Sequence, residues 1–151
     1  MRHLKRSGVS EGDLALVYKS VVRPVLDFAS PTYHSLLTVT QNIQLEALQK
    51  RASKIIYGYD SSYNRIVAEG RLELLEERRK HLCVNFARKA TTNKAFCDRW
   101  FPVKQMPSHN IRYPEKYLEE RTKTERMRRN PLNYMRHELN KENKKNIITA
   151  L

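Results

Sequence analysis

Thr38-Val39-Thr40-Gln41-Asn42-Ile43-Gln44-Leu45-Glu46-Ala47-Leu48-Gln49-Lys50-Arg51-Ala52-Ser53-Lys54-Ile55-Ile56-Tyr57-Gly58 is the stretch whose reading decides the fold class. It has a start, a period and a stop. Thr38 with Gln41 three residues later is the pattern of a capping box, in which two orphan donors of a helix N-terminus are satisfied reciprocally. At about 100° per residue, Leu45, Leu48, Ala52, Ile55 and Ile56 share one side. Lys50 and Lys54 fall opposite, with Arg51 on the flank. Gly58 follows the last apolar residues and suits the left-handed cap that ends many helices. The stretch therefore predicts a long amphipathic helix with a cationic outer face.

The segments on either side read the same way. Upstream, Ser10 as N-cap and Asp13 at the third helical position start a helix carrying Leu14, Val17, Tyr18, Val21, Val25, Phe28 and Ala29 on one face. Lys19, Ser20, Arg23 and Asp27 take the other face, where Arg23 and Asp27 are spaced to pair. Pro24 predicts a kink, and Ser30-Pro31 an end. Downstream, a short helix is expected over Ser62–Glu69, with Gly70 just past its end. A longer one is expected over Leu72–Asn93, with Leu72, Leu75, Leu82, Cys83, Phe86 and Ala90 inward. Glu73, Glu76 and Glu77 precede Arg78, Arg79, Lys80, Arg88 and Lys89, an order that suits the helix dipole, and Glu76 is placed to pair with Lys80. Arg79 falls inside the apolar stripe. If buried there it needs a carboxylate, and Asp27 or Glu69 is the expected partner in a structural ion pair.

Beyond Trp100-Phe101-Pro102 the periodicity weakens, because Pro102, Pro107, Pro114 and Pro131 cut the chain into short pieces. Pro114 and Pro131 read as first residues of short helices, the second behind Asn130 as N-cap. Leu132, Met135 and Leu139 form one more stripe. Residues 140–146 read as a frayed basic tail. The predicted organisation is a helical domain over residues 1–100 and a Pro-broken basic extension over 101–151 with one or two short helices.

Composition agrees with an all-α reading. The 151 residues contain only 4 Gly and 6 Pro, too few for many tight turns. No apolar run reaches the roughly 18 residues of a membrane span. The start Met1-Arg2-His3-Leu4-Lys5-Arg6 has no apolar signal core. Cys83 and Cys97 are too few for a disulfide framework. A nuclear or cytoplasmic location, without a membrane, is the expectation. Lys plus Arg number 29 against 16 Asp plus Glu, a net charge of +13 that attracts polyanions, nucleic acid first. Both ends are its most basic parts.

Several of these segments resemble a known family. The run Leu4-Lys5-Arg6-Ser7-Gly8-Val9-Ser10, then Asp13-Leu14, then Val17 through Pro31, resembles the segment after the polymerase palm in non-LTR retrotransposon (LINE-type) reverse transcriptases, which are RNA-directed DNA polymerases. Gln49-Lys50-Arg51-Ala52-Ser53-Lys54-Ile55-Ile56-Tyr57-Gly58 is similar to a helix of that family. Gly70-Arg71-Leu72-Glu73-Leu74-Leu75-Glu76-Glu77-Arg78-Arg79 is similar to the element that follows. Asn130-Pro131-Leu132-Asn133-Tyr134-Met135-Arg136-His137-Glu138-Leu139-Asn140 looks like the closing segment of some members. These four pieces occur in order and are spread over nearly the whole chain. The resemblance implies a helical thumb, which grips a primer–template duplex through its backbone.

The chain also departs from a working polymerase. Such an enzyme clusters carboxylates around two Mg²⁺ ions. Here Asp13, Asp27, Asp60 and Asp98 are scattered, and Tyr59-Asp60 continues into Ser61 rather than a second aspartate. No catalytic residue is assigned and no cofactor is expected. His81, His109 and His137 lack the paired spacing of a zinc site with Cys83 or Cys97. Cys83 is expected in the core and Cys97 partly buried. No glycine-rich phosphate loop or Gly-x-Ser-x-Gly occurs. Lys50, Arg51 and Lys54, then Arg88 and Lys89, then Arg126, Arg128 and Arg129 are the candidate contacts to nucleic-acid backbone, RNA or DNA, without sequence preference. Trp100, Phe101 and Tyr113 are expected to close a core rather than stack on bases. The expected function is that of a non-catalytic, reverse transcriptase-derived fragment. The alternatives are a helical interaction module, self-associating through an exposed helix face, and a decayed transposon reading frame with no selected role.

Overall fold

The computed structural model describes residues 1–105 and 115–149, so the readings for Pro107, His109, Tyr113 and Pro114 lie outside the described residues. The protein is all-α: among the described residues no strand forms, and the sole β feature is an isolated antiparallel bridge between Val103 and Tyr117. In chain order the helices are α1 (Arg2–Arg6), α2 (Glu11–Val17), α3 (Arg23–Asp27), α4 (Ser30–Tyr33), α5 (Val39–Tyr57), α6 (Tyr63–Ala68), α7 (Leu75–Thr92), α8 (Lys94–Trp100), α9 (Glu125–Arg128) and α10 (Pro131–Thr149). They form two compact units. One comprises Met1–Ser30 and Leu37–Arg79, the other Pro31–Leu36 and Lys80–Leu151. The division falls within α7, not near residue 100 as the periodicity suggested, because the later turns of α7 share a core with the C-terminal segment.

In the first unit, α5 starts and stops where the sequence places it. The Thr38–Gln41 capping box forms, and the Gly58 N–H donates to the Lys54 carbonyl with Gly58 at φ 95°, a conformation that favours glycine. The core gathers Leu14, Tyr18, Ala52, Ile56, Ile66 and Leu72. The inward face of α5 is rotated from the expected stripe. Gln49 and Ser53 are buried, whereas Leu48 is half exposed. Gln49 can be buried because each of its groups is bonded. Its Oε1 accepts from the Tyr18 hydroxyl at 2.7 Å, and its Nε2 donates to the Tyr63 hydroxyl at 2.8 Å and the Glu73 carbonyl at 2.7 Å. Tyr63 in turn donates to Glu46, whose other carboxylate oxygen accepts from the Leu75 N–H. One chain of hydrogen bonds thus ties the residue that follows α2 to α5, α6 and the start of α7.

The helix predicted from Ser10 is interrupted, and this corrects its face assignment. Ser10 caps α2 as expected. Between α2 and α3 the chain runs as a π-turn over Tyr18–Val22, with the Arg23 N–H bonded to the Tyr18 carbonyl. Pro24 has no N–H to continue an α-type ladder, and the wider turn precedes it. The wider turn shifts the phase of everything after it. Leu14 and Tyr18 stay buried, but Val21, Val25 and Phe28 are 62%, 75% and 79% exposed, and Asp27 is buried.

Asp27 pairs with neither expected arginine. Arg78, in the first turn of α7, donates to it at 2.6 Å, so the pairs Arg23–Asp27 and Arg79–Asp27 are not formed. Glu69 is held by Arg65 at 2.7 Å and Arg71 at 3.0 Å, so Arg79–Glu69 is not formed either. The hydrogen bond from Arg65, with Arg71 beside it, lowers the pKa of Glu69. Arg79 is fully buried, as its place in the stripe implied, but its Nη2 donates to a neutral partner, Asn42 Oδ1, at 2.7 Å. Adjacent helical residues point about 100° apart, so Arg78 and Arg79 have different neighbours.

In the second unit, Cys83, Ala87, Ala90, Phe101, Tyr117, Met135 and Leu139 form the core, with Trp100 partly buried against it. Cys83 is buried and Cys97 half-buried, and neither is part of a disulfide. Lys80 pairs with Glu138 at 3.0 Å rather than with Glu76. The segment read as a frayed tail is helical: α10 runs from Pro131 through Thr149. Low apolar content hid it. Its polar side chains are held tertiarily, Asn140 by the Tyr117 backbone and Glu142 by Arg88.

Burial pushes the Tyr18 and Tyr63 hydroxyls well above the ordinary phenol value. A raised folded-state pKa means the unfolded chain releases these protons first. The contribution to stability is complete below the ordinary pKa of about 10 and is lost above it, by about 1.4 kcal/mol per pH unit for Tyr18. Stepwise alkaline titration is expected to show tyrosinate absorbance of these two residues rising together with loss of helical circular dichroism. Normal titration of all tyrosines in a still-helical chain would contradict it.

Candidate nucleic-acid interface

Four cationic residues of the first unit, Arg2, Lys5, Arg6 and Lys54, converge on the C-terminal end of α5. Helices end with carbonyls that have no intrahelical donor, and partial negative charge gathers there. The Lys5 ammonium meets this need by donating to the Ile56 carbonyl at 3.0 Å. That bond lays α1 beside the last turn of α5. Arg2 and Arg6, one turn apart on α1, then share a cleft of about 350 Å³ with Lys5, Lys54, Ile55, Gly58 and Tyr59. No carboxylate lines it. Arg2, Lys5, Arg6 and Lys54 are all exposed, so their charge meets solvent around a concave surface. Low-dielectric walls focus such a field toward an anion.

The sequence-predicted contacts divide unevenly. Lys54 lines the cleft, and Lys50 lies one turn before it on α5 with its ammonium 5.4 Å from the centre of the Tyr63 ring. Arg51 is exposed beside them. Arg88 on α7 is engaged: its guanidinium grips Glu142 through two bonds of 2.6 and 3.2 Å and also donates to Asn85. Lys89 and Arg126 are exposed. Arg128 and Arg129 both bind Glu125, whose carboxyl is held below its usual range by hydrogen bonds from Arg128 and then Arg129. The α5 residues thus offer cationic surface without a carboxylate partner among the described residues, whereas Arg88 is paired with Glu142, and Arg128 and Arg129 share the single carboxylate of Glu125.

Sequence reasoning did not assign Arg2, Lys5, Arg6 or Tyr59 as contacts. The available signal was the concentration of positive charge in the first ten residues. What it lacked was the pairing of that segment with the end of α5, which depends on a side chain bonding a carbonyl 51 positions away. Trp100 stacks on Phe96 with ring centres 4.6 Å apart, and Phe101 is fully buried, so both belong to packing.

Among the described residues, no group of three or more His, Cys, Asp or Glu side chains is placed to hold a metal ion. No described helix is long and apolar enough to cross a membrane. Comparisons with protein families, with curated proteins and with solved structures found no match to the chain.

Proposed function

We propose that the protein is a non-catalytic, thumb-type fragment of a retrotransposon reverse transcriptase that binds nucleic-acid backbone without sequence preference, acting in the nucleus or cytoplasm. The single observation that carries the binding reading is the cleft where Arg2, Lys5, Arg6 and Lys54 meet with no carboxylate in the lining. The ordered resemblance of four segments supports the origin, and the net charge of +13 supports the partner. Phosphate contacts by flexible cations are blind to sequence, as a sliding grip requires.

Four phosphate contacts imply a salt slope near −3.6 on duplex, so a fourfold rise in salt lowers affinity by roughly a hundredfold. Filter binding of duplex and of RNA–DNA hybrid, titrated at several salt concentrations, reads this directly. Arg6→Glu combined with Lys54→Glu, which removes two of the four cleft cations, is expected to weaken every sequence alike and to flatten the slope by about two. No affinity for any nucleic acid at low salt overturns the proposal.

One observation favours a second reading, self-association. Val39 and Ile43, one turn apart on α5, are 74% and 64% exposed, so two bare aliphatic side chains adjoin on one helix face. Light scattering separates the two, because salt screens the repulsion between basic copies while it weakens phosphate binding. Oligomers that grow with salt, without nucleic-acid affinity, favour the second.

A further inference from the structure

We infer that the cleft at the end of α5 receives an unpaired nucleotide, its phosphates held by the surrounding cations and its base stacked on Tyr59. This rests on the nucleic-acid reading above and adds which form of nucleic acid the cleft selects. Tyr59 is the residue that sets this preference. It follows Gly58, whose positive φ turns the chain out of α5, and it remains 73% exposed. Two neighbouring tyrosines are already employed. The Tyr57 ring lies 5.5 Å from the Arg71 guanidinium, and the Tyr63 hydroxyl belongs to the Gln49 network. Tyr59 alone of the three carries a largely bare ring into the lining of the cationic cleft.

A cleft of about 350 Å³ sits at the small end of the range for single small-molecule ligands. It suits one nucleotide unit. Long cations around a ring match a single strand, in which each base is flanked by two phosphates. In a duplex the faces of internal bases are covered by their neighbours, so a ring outside the helix finds no face to stack on. An unpaired base offers one whatever its identity, and stacking is accordingly tolerant of sequence. Cations alone would not distinguish strand forms. The aromatic ring among them does.

The test compares two probes with the same phosphates, a single-stranded oligothymidylate and an abasic strand of equal length, by fluorescence anisotropy at fixed low salt. The full chain is expected to bind the strand with bases about tenfold more tightly, the scale of one base–aromatic stack. Tyr59→Ala is expected to remove that preference while leaving abasic binding unchanged, and Tyr59→Trp to retain it. With Tyr59 so exposed, neither variant disturbs the core, and circular dichroism checks this. Equal binding of the two strands by the unaltered protein, or a preference that survives Tyr59→Ala, overturns the inference while leaving backbone binding intact. Absence of binding to either strand or to duplex overturns the underlying reading as well. Binding confined to phosphatidylserine vesicles overturns both, in favour of an anionic lipid surface.

Discussion

Gln49→Leu is expected to destabilise the first unit by about 3 kcal/mol, although leucine nearly matches glutamine in volume and leaves little cavity. Hydrogen bonding, not packing, is the reason. Gln49 is fully buried and bonds three groups: the Tyr18 hydroxyl, the Tyr63 hydroxyl and the Glu73 carbonyl. Leucine would leave the Tyr18 O–H without an acceptor and the Glu73 carbonyl without this donor. Each buried polar group left unsatisfied costs about 1–3 kcal/mol. Tyr63 would keep its bond to Glu46, so its loss is smaller. Urea denaturation followed by circular dichroism measures the change. A second variant isolates the cause: adding Tyr18→Phe removes the stranded hydroxyl, and the double variant should recover about 1 kcal/mol of what Gln49→Leu lost. A loss below about 1 kcal/mol for Gln49→Leu, or strictly additive losses, would show that the network contributes little.

In the second unit the largest effect falls on Asn140. Asn140→Leu is expected to cost about 3 kcal/mol and to release the segment around Tyr117. The Asn140 amide behaves as a short piece of strand. Its Oδ1 accepts from the Tyr117 N–H and its Nδ2 donates to the Tyr117 carbonyl, each at 2.9 Å, with a further 2.9 Å bond to Glu119. Tyr117 is buried against Phe101, so water does not replace these partners freely. On its other side, the backbone near Tyr117 is bonded through the Leu118 N–H to the Pro102 carbonyl and through the Lys116 carbonyl to the Lys104 N–H. Hydrogen exchange gives the clearest readout. Protection of the Tyr117 amide should collapse in Asn140→Leu, whereas amides of α5 should exchange as before. An unchanged Tyr117 amide would mean that the bridge to Val103 suffices without Asn140.

The residues that were legible and those that were not follow a physical pattern. Helix starts and stops at Ser10, Thr38, Ser62, Gly58 and Gly70 are local events. They depend on hydrogen bonds within a few positions or on one residue's own φ, and each appears where a single turn of sequence places it. The inward face of α5 was read one position out because the apolar scale excludes glutamine, and Gln49 is buried only once Tyr18, Tyr63 and Glu73 converge on it. The same holds for α10, whose polar second half depends on Tyr117 and Arg88. The α5 cations of the candidate interface were legible, as they needed only the helical period. Arg2, Lys5, Arg6 and Tyr59 were not, since their common cleft exists only where Lys5 reaches Ile56.

Short-range chemistry alone thus determined that this chain is helical, where α5 and α6 are capped, and that its surface is strongly cationic. Tertiary structure decided which cations remain available, because an arginine's charge is spent or free according to the carboxylate that folding brings to it. It decided as well that α7 divides between two compact units, and that the π-turn before Pro24 turns Val21, Val25 and Phe28 outward. Local propensity acts over a turn of helix, whereas burial and charge pairing act between residues tens of positions apart, and only the folded chain brings those together.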